Sequence, residues 1–182
     1  TPAALVPGEL PFYRPGDKLT IDEYTVDELA QYDMIYLSGF FYDSKDKAEE
    51  IVRETAARGV KVYIDMSRIP SDPVTNRMSF LGVAAQPISF DVKFPDIISG
   101  EDTVYPSPFA DGYEHWNTVY LTNLTETGGY AWFQSNRLDV FGRGEDENIT
   151  FIGFNLLFHA YTAYDSGVHD LLNGIMSLDE DA

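Results

Sequence analysis

Residues 34–65 hold the feature that most narrows what this chain can fold into. Met34-Ile35-Tyr36-Leu37-Ser38 is a nearly continuous apolar run of strand length, the pattern of a strand covered on both faces. After the loop Gly39-Phe40-Phe41-Tyr42 the period changes. From Ser44 to Arg58, Ala48, Ile51, Val52, Thr55 and Ala56 fall on one helical face, while Lys47, Glu50, Arg53 and Glu54 fall elsewhere. Gly59 then stops the helix, and Val60-Lys61-Val62-Tyr63-Ile64-Asp65 makes a second strand. Strand, amphipathic helix, glycine, strand predicts a βαβ unit with a right-handed crossover and parallel pairing.

The flanking sequence is less regular. Residues 1–18 carry Pro2, Pro7, Pro11 and Pro15, which remove donors and fix φ, so an extended lead-in is expected. Leu19-Thr20-Ile21 reads as a short strand, and Thr25 with Glu28 forms a capping box for a short helix. Beyond Asp65 comes a long loop with Pro70 and Pro73. A helical turn is expected near Asn76-Arg77-Met78-Ser79-Phe80, ending at Gly82. Short strands follow in 88–121, including Thr118-Val119-Tyr120-Leu121, and Tyr130–Phe133 and Leu138–Phe141 pair as a hairpin. Asn148–Phe154 is another buried-type strand, Val168–Met176 a closing helix, and an acidic tail begins at Asp179.

Composition excludes several functions. Twelve basic against thirty acidic residues give a net charge of -18, a field that repels phosphate backbones and anionic membrane surfaces. Neither nucleic acid nor lipid is an expected partner. The same charge keeps a chain soluble and copies apart, which is its ordinary reading. With 44% hydrophobic and 14% aromatic residues the chain can build a core, and no apolar run reaches the roughly 20 residues of a membrane span. There is no cysteine, so disulfides, thiolate ligands and a cysteine nucleophile are all excluded. The first residue is Thr1, as expected of a processed chain or a segment of a longer one.

Catalytic and cofactor signatures are absent. There is no glycine-rich phosphate loop and no G-x-S-x-G elbow, and the three histidines, His115, His159 and His169, are scattered. Glu145-Asp146-Glu147 and Asp179-Glu180-Asp181 lack the ligand register of a calcium loop. No cofactor and no metal is therefore expected. Two places could hold a ligand. Asp65-Met66-Ser67-Arg68 lies at the carboxyl end of the second strand, where open α/β sheets bind ligands. Its ordinary alternative is a polar loop whose aspartate pairs locally. Asn155 and His159 follow the strand ending at Phe154, and histidine is the usual general base near neutral pH. The ordinary alternative is a packed histidine among Leu156, Leu157, Phe158 and Tyr161. Tyr113, Trp116, Tyr130, Trp132 and Phe133 could stack on sugar rings or serve as core.

Tyr32-Asp33-Met34-Ile35-Tyr36-Leu37, Gly59–Asp65, Phe80-Leu81-Gly82-Val83 and Asn148–Leu156 with His159-Ala160 together resemble the class I glutamine amidotransferase-like fold. Among its branches the chain looks most like the extracytoplasmic domain of bacterial membrane proteins called 6-pyruvoyl-tetrahydropterin-synthase-related. The resemblance covers roughly residues 19–65 and 148–176. Met66-Ser67 stands where the active amidotransferases carry their elbow cysteine, and Tyr161 stands where their His-x-Glu would place the glutamate. No catalytic role is carried over.

The resulting expectation is a three-layer α/β domain over 19–178, with a mainly parallel sheet flanked by helices (flavodoxin-like) and an antiparallel hairpin in 118–142. The expected function is non-enzymatic binding or assembly, in an extracytoplasmic domain of a larger, membrane-anchored bacterial protein. Cytoplasmic placement is the alternative location. The alternative functions are a hydrolase or transferase using Ser67 or Asp65 with His159, and a carbohydrate-binding accessory module.

Overall fold

The computed structural model describes residues 20–38, 40–88, 95–105, 118–156 and 166–176. The expected lead-in at 1–18 and acidic tail at 179–182 lie outside them, as do Tyr113, His115, Trp116 and His159.

The βαβ unit forms as the periodicity requires. Strand β1 (Met34–Leu37) and strand β2 (Lys61–Asp65) pair in parallel, with Leu37 opposite Ile64. Helix α2 (Lys45–Ala57) joins them, capped by the Ser44 hydroxyl accepting from Lys47 N–H. The apolar face Ala48, Ile51, Val52, Thr55 and Ala56 is buried as a set. Each large aliphatic side chain among them contributes about 1.5–3 kcal/mol by leaving water. Gly59 adopts φ +95°, the left-handed position that ends the helix. Before α2 lies helix α1 (Val26–Leu29), whose Thr25–Glu28 capping box is present. The strand expected at Leu19–Ile21 is instead a 3-10 turn, Ile21–Glu23, where the structure describes it. Its Asp22 is buried and accepts from Asp43 and Ser44 N–H, just ahead of α2. Burial opposes that charge, but the donors of Ser44 and Asp43 outweigh it and hold the carboxyl below its usual range.

The mainly parallel sheet does not form. The helical turn expected at Asn76–Phe80 is strand β3 (Met78–Phe80), turning tightly into β4 (Val83–Pro87). Leu81 and Gly82 both take positive φ (51° and 83°), the conformation of a two-residue hairpin turn. β4 also pairs with β7 (Val119–Thr122), completing a separate three-stranded antiparallel sheet. β5 (Ile97–Ser99) and β6 (Thr103–Tyr105) form another hairpin. β8 (Glu126–Phe133) and β9 (Asn136–Arg143) form the longest, and β10 (Ile149–Ile152) follows. The main sheet runs β1-β2-β10-β9-β8-β5-β6. Only β1–β2 and β2–β10 are parallel; the junctions from β10 through β9, β8 and β5 to β6 are antiparallel.

The fold is therefore mainly β, with a mixed sheet, and not a glutamine amidotransferase-like or flavodoxin-like α/β layer structure. Parallel neighbours need a crossover of a dozen or more residues, usually a helix. Between β3 and β10 the short connections β3–β4, β5–β6, β8–β9 and β9–β10 join antiparallel neighbours, while residues 123–125 carry the chain from β7 in the small sheet to β8 in the main one. The hairpin expected as an addition to the sheet is its centre.

Two cores result. One face of the sheet, with Val62, Ile64 and Phe151, packs against α2 and the three-stranded sheet through Val52, Phe80, Val83 and Leu121. The opposite face, with Tyr63, Ile152, Ala131 and Val140, packs against the closing helix α3 (Ser166–Met176) through Leu171, Leu172 and Ile175. Strand alternation sends Val62 and Ile64 of β2 to the first core and Tyr63 to the second. The β8–β9 register slips between Gly129 and Tyr130, whose partners Phe141 and Asp139 lie two apart, which bulges Val140. At the bulge the Phe141 ring occupies the space a Cβ on residue 129 would need. Gly129→Ala is expected to destabilise the fold by about 1–3 kcal/mol in urea unfolding, the scale of overpacking. An unchanged midpoint would show that the ring moves aside freely.

Candidate functional site

The parallel register lines up one edge of the sheet. Leu37 opposite Ile64 puts Ser38 beside Asp65, and Ile152 of β10 is directly opposite Asp65. Three strands thus deliver their carboxyl ends to one place, as sequence position predicted for Asp65. Asp65 is 2% exposed and lies on the α3 face with Tyr63 and Tyr36. Its Oδ1 accepts from Ser67 N–H at 2.8 Å and from the Ser67 hydroxyl at 2.5 Å; the Ser38 hydroxyl reaches Oδ2 at 3.5 Å. The Ser67 bonds span only two residues and are the local pairing by which aspartate closes a turn.

The expected residues divide accordingly. Asp65 and Ser67 are in contact; Arg68 is exposed, and its charge favours the ionised form of Asp65. Asn155 is buried three residues beyond Ile152, at the same end of the sheet. His159 lies outside the described residues, so its approach to Ser67 is not among the described contacts. Two participants escaped the sequence reading. Ser38 was legible in principle, as the residue after β1 in the register that also ends β2. Tyr36 reads as one more apolar strand residue, yet its hydroxyl is shielded and has no hydrogen-bond partner. Its ring stacks on Tyr63 with centroids 6.0 Å apart, and the Tyr63 hydroxyl donates to Met176 O at 3.1 Å.

Burial dominates the electrostatics here. It pushes the Asp65 carboxyl from the usual 3.8 up to about 6, although the Ser67 hydroxyl and N–H, Ser38 and Arg68 all favour the charged form. Burial likewise raises the Tyr36 phenol, with Asp65 and Tyr63 adding to the effect. Among the described residues no cluster of histidine and acidic side chains could hold a metal ion.

A second surface stands at the other half of the sheet. Cross-strand pairing puts Val104, Ile98, Tyr130 and Asp139 in one row over β6, β5, β8 and β9, with Trp132 opposite Arg137 on the same face. This is the face turned away from α3, which covers Ile97, Ala131 and Val140. Trp132 is 49% and Val104 55% exposed. The Arg137 guanidinium lies 4.1 Å over the Tyr130 ring, and Tyr130 meets Trp132 edge-on at 87°. Arg137 Nη2 stands 3.6 Å from Asp139 Oδ1, beyond hydrogen-bonding reach. By contrast, the shallow depression lined by Asp46, Glu49, Glu50, Arg53 and Glu54 is the solvated face of α2.

A raised carboxyl pKa has a definite sign. Because the folded value of about 6 exceeds 3.8, Asp65 favours folding fully below pH 3.8, and that contribution is lost as pH rises through about 6. At 1.36 kcal/mol per pH unit the loss is about 3 kcal/mol. Asp65→Asn keeps an acceptor for Ser67 and does not titrate. Its stability relative to the parent chain should therefore rise by about 2–3 kcal/mol between pH 4 and pH 7.5 in urea unfolding. A difference independent of pH would mean that Asp65 titrates as an ordinary carboxylate.

Residues 6–159 match the family described as Domain of unknown function (DUF8560), so the chain belongs to that family. Neither the curated proteins nor the solved structures contain a match to it.

Proposed function

We propose that this member of the DUF8560 family is a non-enzymatic binding or assembly domain, engaging its partner through the face of β6, β5, β8 and β9 that is turned away from α3. The observation that carries this reading is the exposure of Trp132, flanked by the Tyr130–Arg137 stack, on a sheet face. A large aromatic beside a planar cation is the composition of interaction hot spots, whereas singly scattered apolar residues are ordinary surface. The strand-end group offers less. The Ser67 hydroxyl is committed to Asp65 two residues away, which suits a closed turn better than a nucleophile.

The domain is part of a larger bacterial membrane protein and sits on its extracytoplasmic side, in the same proposal. A cysteine-free chain of net charge -18 is suited to an oxidising, solvent-exposed location. Labelling of the full-length protein in intact cells with a membrane-impermeant amine reagent tests this. Modified lysines agree with it, and labelling only after lysis contradicts it.

The binding surface is tested by photo-crosslinking in the full-length protein. Benzoylphenylalanine is placed at Trp132 or, as a control, at Val74, which is 91% exposed on another part of the surface. A discrete adduct from position 132 and none from 74 is expected. No adduct at 132, or the same adduct from both, would remove this surface from the account.

A further inference from the structure

We infer that the open face around Trp132 binds a neutral carbohydrate, an inference that rests on the binding role proposed for this face. The chemistry of the patch selects the ligand class. A pyranose presents C–H groups on its flat faces and hydroxyls, each a donor and an acceptor, around its rim. The protein offers the complement: an apolar plate with charged hydrogen-bonding groups beside it. Trp132 is the plate, half exposed. The edge-on Tyr130 cannot extend it as a coplanar second platform, so one sugar ring stacks there and neighbouring units extend past it.

The polar rim is pre-set. Arg137 is directly opposite Trp132 in the β8–β9 register, and its guanidinium carbon is held 4.1 Å over the Tyr130 ring. Guanidinium carries five donors, and stacking on a ring face leaves its edges free to reach hydroxyls. Asp139, opposite Tyr130, keeps its Oδ1 shielded, and the 29% of its side chain that is exposed offers the carboxylate to a ligand. At 3.6 Å the pair orients itself electrostatically without either group using up a short hydrogen bond on the other. Donor and acceptor thus stand within one residue row of the indole.

Charge separates this ligand from others. Arg137 and Asp139 cancel, so the patch itself favours neither ion. The surrounding chain, at -18, repels anionic glycans, nucleic acids and a second copy of itself. A cationic partner would gain more at the carboxylates of α2 than at a face where Arg137 offsets Asp139. An uncharged polyol gains from the stack and the rim and loses nothing to the field.

The test is a titration of the whole chain with cellohexaose, chitohexaose, xylohexaose, mannohexaose and maltohexaose, each to about 10 mM, the range of weak single-site affinities. It is followed by titration calorimetry and by backbone amide signals in NMR, readouts that survive replacement of Trp132. Saturable change with at least one sugar is expected. It should persist in Trp116→Phe and Trp132→Phe, and weaken at least about tenfold in Trp132→Ala and Arg137→Ala, variants at exposed positions whose folding circular dichroism verifies. Silence with all five sugars, or a response undiminished in Trp132→Ala, overturns the inference. A polypeptide adduct from position 132 alongside sugar silence would leave the binding face standing and remove the carbohydrate. Loss of both would remove the face itself.

Discussion

Strand β2 is hydrogen-bonded along both edges and buried on both faces, and the rest of the molecule is arranged around that condition. From Val62 to Asp65 no side chain exceeds 2% exposure. A backbone enclosed in this way has no water to fall back on, so its N–H and C=O groups need β1 on one side and β10 on the other. Parallel pairing with β1 calls for α2 as crossover, and the two faces call for two covers. α2 and the three-stranded sheet supply one; α3 supplies the other.

Burial of β2 has a second consequence at its end. Alternation that places Tyr63 on the α3 face also places Asp65 there, so a carboxyl is drawn into the core by the strand that carries it. Ser67 and Ser38 offset part of the desolvation, and the carboxyl still rises to about 6. The group that sequence position marks as a ligand site is thereby largely satisfied from within the chain. Farther along the sheet, β8, β5 and β6 extend beyond the α2 layer, and one face there keeps α3 while the other keeps Trp132 and Val104 at the surface.

What could be read from sequence follows the range of the signals. The βαβ unit was legible because its period, its Ser44 cap and its Gly59 stop all lie within 32 consecutive residues. β10 and the core of the β8–β9 hairpin were legible as apolar or alternating runs. The sheet order was not, since pairing of β2 with β10 joins residues more than 80 positions apart, with no local mark in either strand. The resemblance to an amidotransferase-like layer fold extended the parallel unit too far for the same reason: β1, α2 and β2 are compatible with several sheets. Leu81-Gly82 misled through its first residue, because a leucine at φ 51° is rare and the turn it makes reads as a helix end. At the candidate sites, chain position pointed to Asp65 and Ser67, but the tertiary register alone sets Trp132 opposite Arg137 on an open face.

Amide hydrogen exchange of the intact chain tests the central claim, a sheet with one doubly covered half and one open half. The amides of Val62–Asp65 and Ile149–Ile152 should exchange last, only through global unfolding, with those of Ile97–Ser99 and Thr103–Tyr105 at least about a hundredfold faster. Equal protection across the seven strands would mean that the β5–β6–β8 half is as enclosed as β2, and the exposed binding face would have to be abandoned.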